Sequence, residues 1–311
     1  MMYIAGCGSS GTTLLARLLG EIPNFVSVGE AGAYFLGPGD FSQAAIPCGC
    51  GAPMAECTLW SRLAVDGKLH ALGSPFTRSR YIHRALWPTP EIHPQLPRFL
   101  AAAGEFYHDL ARLTEASVIV DSSKSPALAA LLTRIPGIEL HVVHLVRDLR
   151  GVVSSGRRTK AYVPATSAQR CILQWYWANL GAELLPPRAA RFVRLRYEDF
   201  MARPQPILEQ IASATVGAPV RCSFLGDGQA RIQTQHHALG HPDKFQCGEI
   251  PLRERTAELN LLLKSVVSVS GAPLLARYGY FSKGSKSYSS QPSSDLHLST
   301  VQKLKAEPPA I

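Results

Sequence analysis

The sequence predicts an α/β domain of three layers, a mostly parallel central sheet with helices on both faces. Two observations carry that expectation. Short β-branched apolar runs alternate with longer runs of helical periodicity, the pattern of a parallel sheet whose crossovers are helices. The chain also opens as strand, glycine-rich loop and helix, an arrangement that aims backbone N–H groups at an anion. With 311 residues, 46% of them hydrophobic, the chain can form one sizeable domain or two small ones around a core.

"MYIAG" (2–6) is a short apolar run ending at glycine and reads as a buried strand. "TTLLARLLGEI" (12–22) has helical spacing and stops at Pro23; "FVSV" (25–28) is a second strand. Residues 37–60 are rich in Gly, Pro and Cys and read as an irregular insertion. "WPTPEIHPQLP" (87–97) is a Pro-punctuated connection before a helical stretch at 98–115. The alternation is then regular. "SVIVD" (117–121), "IELHVVHLV" (138–146) and "RFVRLRY" (191–197) read as strands. Between and after them, 126–135, 149–158, 168–185 and 206–216 read as helices. Residues 220–252 are polar and His/Gly-rich and read as a long loop covering a site; 255–269 reads as the last helix. From Ser282 the composition turns to Ser, Lys, Gln and Pro, so a domain over 1–281 and a disordered tail over 282–311 are expected.

The net charge of +9, with 28 of the 32 Lys and Arg before residue 282, favours an anionic ligand. Neither zinc-finger spacing nor an RNA-binding aromatic signature accompanies it, which argues against nucleic acid. No apolar run approaches the ~18–20 residues of a membrane span, and the glycine loop at Gly6 leaves no room for a signal peptide, so a cytoplasmic protein is expected. Cys48, Cys50 and Cys57 cluster in "CGCGAPMAECTLW" with a spacing unlike the commoner zinc patterns and no obvious fourth ligand. Packing or a local disulfide is favoured there over a metal, and no metal site is assigned.

Two stretches carry chemistry. "GCGSSGTTLL" (6–15) has the outline of a phosphate loop, with Gly6, Gly8 and Gly11 for close approach and Ser10, Thr12 and Thr13 as hydroxyl donors. Thr12 stands where a nucleoside-triphosphate enzyme carries its lysine, so the loop suits a 5′-phosphate free of the triphosphate–magnesium burden. The plain alternative is a strand-to-helix turn with no ligand. "HLVRDLRGVVSSGRR" (144–158) places Arg147 at a strand end and Ser155 eight residues later in a helix, a fork and a hydroxyl suited to a second phosphate. A solvated basic helix start is the alternative there.

Together these stretches resemble the sulfotransferases that use 3′-phosphoadenosine 5′-phosphosulfate (PAPS). "SSGTT", Ser9 to Thr13, is similar to their 5′-phosphosulfate loop, and Arg147 with Ser155 to their 3′-phosphate pair. "LRYEDF" (195–200) resembles the strand end whose tyrosine, here Tyr197, lies near the adenosine. "HALGHPDKF" and "IPLR" look like the late loop of bacterial and carbohydrate-type members, which makes Lys244 and Arg253 weaker nucleotide-binding candidates. The cysteine insertion resembles one found in some bacterial members. "VGEAG" resembles a segment of tyrosylprotein sulfotransferases, implying Glu30 as general base, and Lys124 in "DSSKSP" matches a lysine that touches the transferring sulfuryl group. The bland readings are an N-capping Glu30 and a solvated Lys124.

The resemblance implies PAPS as co-substrate, PAP as product, a hydroxyl-bearing acceptor (carbohydrate, lipid, small molecule or tyrosyl) and no required metal. Acceptor choice would sit in loops 31–60, 76–97 and 159–167. One position departs: the basic residue that opens the family's loop motif is Ser9 here. A small-molecule kinase would share the first strand and loop but needs the lysine that this loop lacks and a Mg²⁺ site, and a nucleotide-binding relative without turnover remains the competing class.

Overall fold

The computed structural model describes residues 1–36, 46–63, 94–254 and 257–281. The expected tail, residues 37–45 of the insertion and residues 76–93 of the expected acceptor loops lie outside the described residues.

Five strands form one parallel sheet: β1 (Met2–Gly6), β2 (Phe25–Gly29), β3 (Val118–Lys124), β4 (His141–Val146) and β5 (Arg191–Arg196), in the order β2-β3-β1-β4-β5. The helices are α1 (Thr12–Leu19), α2 (Ala33–Leu36), α3 (Leu96–Thr114), α4 (Pro126–Leu132), α5 (Leu149–Gly156), α6 (Ala168–Ala182), α7 (Tyr197–Ala202), α8 (Pro204–Val216) and α9 (Leu261–Arg277).

The period-two alternation of each strand sorts its side chains between two cores. Met2 and Ile4 of β1 join Leu15, Leu18 and Leu19 of α1 and Leu208 of α8. Tyr3 and Ala5 join Phe99 and Leu110 of α3 and Leu128 and Leu131 of α4 on the opposite face. β1 is therefore apolar at every position and buried at every position. Each such side chain contributes about 1.5–3 kcal/mol through burial. A third cluster joins α5, α6 and α9 around Trp175, which is fully buried.

Two expectations give way. Residues 220–252 are not a plain loop: β6 (Leu225–Gly226), β7 (Gln229–Ile232) and β8 (Gly248–Pro251) form a small antiparallel sheet, with a 3-10 turn at Pro242–Phe245. Its polar composition hides a half-buried strand, in which Ala230 and Ile232 face the α1/α8 core and Gln229 and Arg231 face out. The last helix begins later than 255, at Leu261, because the Asn260 side chain accepts the Leu263 N–H at 2.9 Å and caps it. That helix continues to Arg277 through Pro273.

Candidate active site

The strand order places a topological switch at β1, where successive crossovers leave in opposite directions and a crevice opens at the carboxyl ends of the strands. Every strand of the large sheet delivers a sequence-predicted residue there. Ser9 to Thr13 follow β1, Glu30 follows β2, Lys124 ends β3, Arg147 follows β4 and Tyr197 follows β5. Ser9, Gly11, Thr12, Thr13, Glu30, Lys124, Arg147, Ser155, Tyr197 and Arg253 all line one cleft of about 950 Å³.

At the glycine loop after β1, α1 starts at Thr12 with no side chain capping its first turn, so its N–H groups and the positive end of the helix are left for an anion. Gly11 is required at the N-cap. Its φ of 91° is left-handed, and a methyl there would lie 2.6 Å from the Tyr197 ring. Ser9 is also left-handed, at φ 64°. Ser10 does not reach the cleft: it is buried, and its hydroxyl donates to the Cys7 carbonyl. The expectation of a Ser10 hydroxyl for the ligand is corrected accordingly, because the turn itself uses that donor.

Arg147 is 6% exposed. Its Nη1 donates to the Ser9 carbonyl at 2.9 Å, and its guanidinium carbon lies 4.3 Å from the centre of the Tyr197 ring. Trp175 of α6 fixes the backbone at this point, donating from Nε1 to the Arg147 carbonyl at 2.9 Å. Ser155, two turns into α5, lines the same cleft, and its hydroxyl accepts from Lys160 Nζ at 2.8 Å. Arg147, Ser155, Arg158 and Lys160 also line an adjoining recess of about 270 Å³. Arg158 was legible only as a member of a basic run and Lys160 only as part of loop 159–167; that they share a recess with Arg147 is a tertiary fact.

Glu30 and Lys124 form an ion pair, their side chains 23% and 20% exposed. Both sit where strand pairing is irregular, since the register slips between Ser27 and Gly29 on β2 and between Tyr3 and Ala5 on β1, each opposite the end of β3. Such slips re-aim side chains at a sheet rim. Lys124 adopts φ 69°, a conformation disfavoured for a residue with a Cβ. Asp121, fully buried, holds this corner together. It accepts from the Tyr107 hydroxyl at 2.5 Å, the Ser123 N–H at 2.6 Å and the Ser123 hydroxyl. Ser123 Oγ in turn accepts the Gly32 N–H at 2.7 Å, two residues past Glu30. Burial pushes the Asp121 carboxyl up to about 6, with these donors acting against it.

The late segment closes one side. Gly240 stands over Thr13 and Glu30, where an added methyl would lie 3.4 Å from Thr13 Oγ1 and 3.5 Å from Glu30 Oε1. The Tyr162 hydroxyl donates to the Gly240 carbonyl at 3.0 Å, and the His241 N–H donates to Thr13 Oγ1 at 3.3 Å. Arg17 of α1, buried, donates to the carbonyls of Asp243 (2.6 Å) and Gln246 and so ties this segment down. Sequence reasoning missed Arg17 and Tyr162, neither of which belongs to a motif.

Arg253 reaches the cleft from the exposed end of the segment. Lys244 does not. It is 1% exposed, and its ammonium donates to the carbonyls of Pro47 and Ala238, both at 2.7 Å, so the expected nucleotide contact is corrected to an internal one. Burial pushes its pKa down to about 8.

Of the two readings favoured for the cysteines, packing or a local disulfide, the disulfide gives way. All seven are free, and Cys57 Sγ lies 3.5 Å from Cys48 Sγ and 3.8 Å from Cys50 Sγ, beyond any disulfide. The fourth donor that the sequence did not reveal is His236, whose Nδ1 is 3.2 Å from Cys57 Sγ and 3.8 Å from Cys48 Sγ.

Among the described residues no helix is long and apolar enough to cross a membrane. No curated protein sequence matches the chain. A crystal structure of a sulfotransferase from Alicyclobacillus acidocaldarius is 14% identical, with a TM-score of 0.42 over 90% of this chain and 94% of that one, a likeness too low to carry any inference about the site. The description "Sulfotransferase family" belongs to a family model that matches residues 2–217, the stretch from β1 through α8 that contributes every strand-end residue of the cleft; the chain belongs to the sulfotransferase family.

Proposed function

We propose that the protein transfers the sulfuryl group of PAPS to an acceptor hydroxyl by in-line displacement. The observation that carries this reading is the single cleft. It combines an uncapped helix N-terminus, a separate basic recess around Arg147 and Ser155, and a carboxylate paired with an ammonium.

In this reading the N–H groups of residues 11–13 and the Thr12 and Thr13 hydroxyls hold the 5′-phosphate. Arg147, Ser155 and Lys160 hold the 3′-phosphate, whose presence separates PAPS from ordinary adenine nucleotides. Tyr197, already stacked under Arg147, offers its remaining surface to the adenosine. Glu30 takes the acceptor proton as the acceptor oxygen bonds to sulfur. The bond from sulfur to the 5′-phosphate oxygen breaks, PAP leaves, and Lys124 stabilises the charge gathering on that oxygen. Sulfuryl transfer places less charge on the moving group than phosphoryl transfer, so these cations suffice without a catalytic metal.

Titration calorimetry with PAP against ADP and ATP tests the nucleotide half of the reading, and equal affinities would overturn it. Ser9, which brings no cation to the leaving group, favours the second reading, binding without turnover. Transfer of label from PAPS to a panel of hydroxyl acceptors decides between the two.

A further inference from the structure

Outside the catalytic cleft, Cys48, Cys50, Cys57 and His236 turn their donor atoms toward one point, all within 4.8 Å of one another. We propose that these residues bind a structural Zn²⁺ that clips the cysteine insertion to the late segment covering the cleft.

The donor spacing carries the argument. Tetrahedral zinc with Zn–S of about 2.3 Å and Zn–N of about 2.05 Å sets its sulfurs about 3.8 Å apart and sulfur from nitrogen about 3.6 Å. Two of the three sulfur pairs are 3.5 and 3.8 Å apart, two of the three sulfur–nitrogen pairs 3.2 and 3.8 Å, and the remaining two pairs lie within 4.8 Å. Three thiols cannot all pair as disulfides. Three sulfurs and one imidazole nitrogen suit zinc rather than magnesium or calcium, which prefer oxygen.

The backbone builds this cluster by itself. The Gly51 N–H donates to the Cys48 carbonyl at 2.8 Å, with Gly51 at φ 89°, which curls the chain so that Cys48 and Cys50 face the same way. Gly49 donates to the His237 carbonyl at 2.9 Å, and a methyl on Gly49 would lie 2.5 Å from the Gln235 carbonyl oxygen. Trp60 Nε1 donates to the His236 carbonyl at 3.1 Å. The two segments are thus docked on either side of His236 by contacts that do not involve the four donor atoms.

Charge supplies a second, independent observation. Zinc with three thiolates and one neutral imidazole carries a net charge of −1. Lys244 is buried beside Pro47, one residue from Cys48, and feels the negative charge of Glu30 as well as the cysteines. A buried ammonium is stabilised by nearby negative charge, and the occupied cluster adds to that of Glu30. With Cys48 and Cys57 fully buried and all four positions taken by protein, no position is open for substrate, so the role is structural. Its consequence reaches the cleft through two residues, because the Ala238 N–H donates to the Val28 carbonyl at 3.0 Å and Gly240 then lies over Glu30.

The test uses the full chain, purified without chelator. Elemental analysis should find one zinc per chain, its release by a strong chelator should lower the Tm, and zinc but not magnesium should restore it. Cobalt added to the stripped, reduced protein should give the visible and thiolate charge-transfer bands of a tetrahedral sulfur-rich site. His236→Ala should lose the metal; should it fail to fold, His236→Cys keeps four ligands and should retain zinc while shifting the cobalt spectrum. A protein that carries no zinc and gives no such cobalt spectrum overturns the proposal. So does iron in place of zinc, or a disulfide among the three cysteines.

Discussion

On the proposed reading, replacing Arg147 by alanine removes a contact to the 3′-phosphate together with contacts inside the protein, and the design of the measurement must separate them. In the ligand-free protein the guanidinium donates to the Ser9 carbonyl and stacks on Tyr197. Losing a hydrogen bond of about 0.5–1.5 kcal/mol and a cation–π contact of about 0.5–1 kcal/mol should destabilise the fold by about 1–2.5 kcal/mol. The contact to a 3′-phosphate is charge-assisted and nearly buried, worth about 1.5–3 kcal/mol, or roughly tenfold to over a hundredfold in affinity. The ratio of dissociation constants for 5′-AMP and PAP isolates that last term, since both ligands bind the folded protein and both use the 5′-phosphate loop.

Calorimetry at one fixed salt concentration should therefore show the ratio collapsing by roughly tenfold to a hundredfold in Arg147→Ala. Ser155→Ala, which deletes one neutral hydroxyl, should reduce it by about two- to tenfold. The two losses should not add, because Lys160 already bonds Ser155 and remains in the recess. An AMP/PAP ratio that Arg147→Ala leaves unchanged would refute the assignment, whatever happens to stability.

Glu30→Gln keeps size and most hydrogen bonding but accepts no proton, so single-turnover transfer should fall by about 10²–10⁴ with PAP affinity nearly constant; near-normal turnover would leave Glu30 a structural partner of Lys124. Ser9→Arg, in single-turnover assays with labelled PAPS, should leave the rate unchanged or slow it if Lys124 already meets the leaving-group charge, and Lys124→Ala should then be the variant that loses rate. His144, fully buried and bonded to Asn179 Oδ1 at 2.9 Å, has its pKa pushed down to about 4 by burial. The unfolded chain binds that proton first, so this group alone lowers stability by on the order of 3 kcal/mol as pH falls from about 6.5 to about 4, and His144→Gln should make stability at pH about 4, relative to pH about 7, higher than in the unmodified protein in denaturant titrations. Asp121 has the opposite sign. Its raised pKa means stability is lost as pH rises from about 4 through about 6, and Asp121→Asn should remove that loss; an unchanged slope in either variant contradicts the burial argument.

What the sequence showed most clearly is what lies within a dozen residues. The Gly6–Thr13 loop and the Arg147–Ser155 pair are each set by one strand, one turn and one helix, so spacing alone places their side chains. Glu30 and Lys124 could be named but not joined, because their contact depends on register slips at β3 that only pairing with β1 and β2 reveals. His236 stands 179 residues after Cys57, and a ligand pattern split over that distance leaves no motif. Lys244 misled for a related reason. In a polar, glycine-rich segment a lysine reads as a solvent-facing anion contact, and nothing local announces that the chain folds back and buries it.

These hidden contacts share one destination. The 233–247 segment is held to α1 by Arg17, to the cysteine insertion around Cys48 and Trp60, and to the loop after α5 by Tyr162. Each tie comes from a different part of the chain, and all of them position the stretch that lies over Thr13 and Glu30. The strand ends were legible because a parallel sheet repeats one local rule. The cover was not, because it is built from single long-range contacts. The division also answers how a phosphate loop dispenses with its lysine. Among the described residues, six Lys and Arg side chains line the cleft against three carboxylates, and they come from α1, from the ends of β3 and β4, and from loops far along the chain. Spread in this way, the positive charge no longer depends on the one position where the loop departs from its family. That is why substitution at Lys124 should cost more than any change at Ser9 restores.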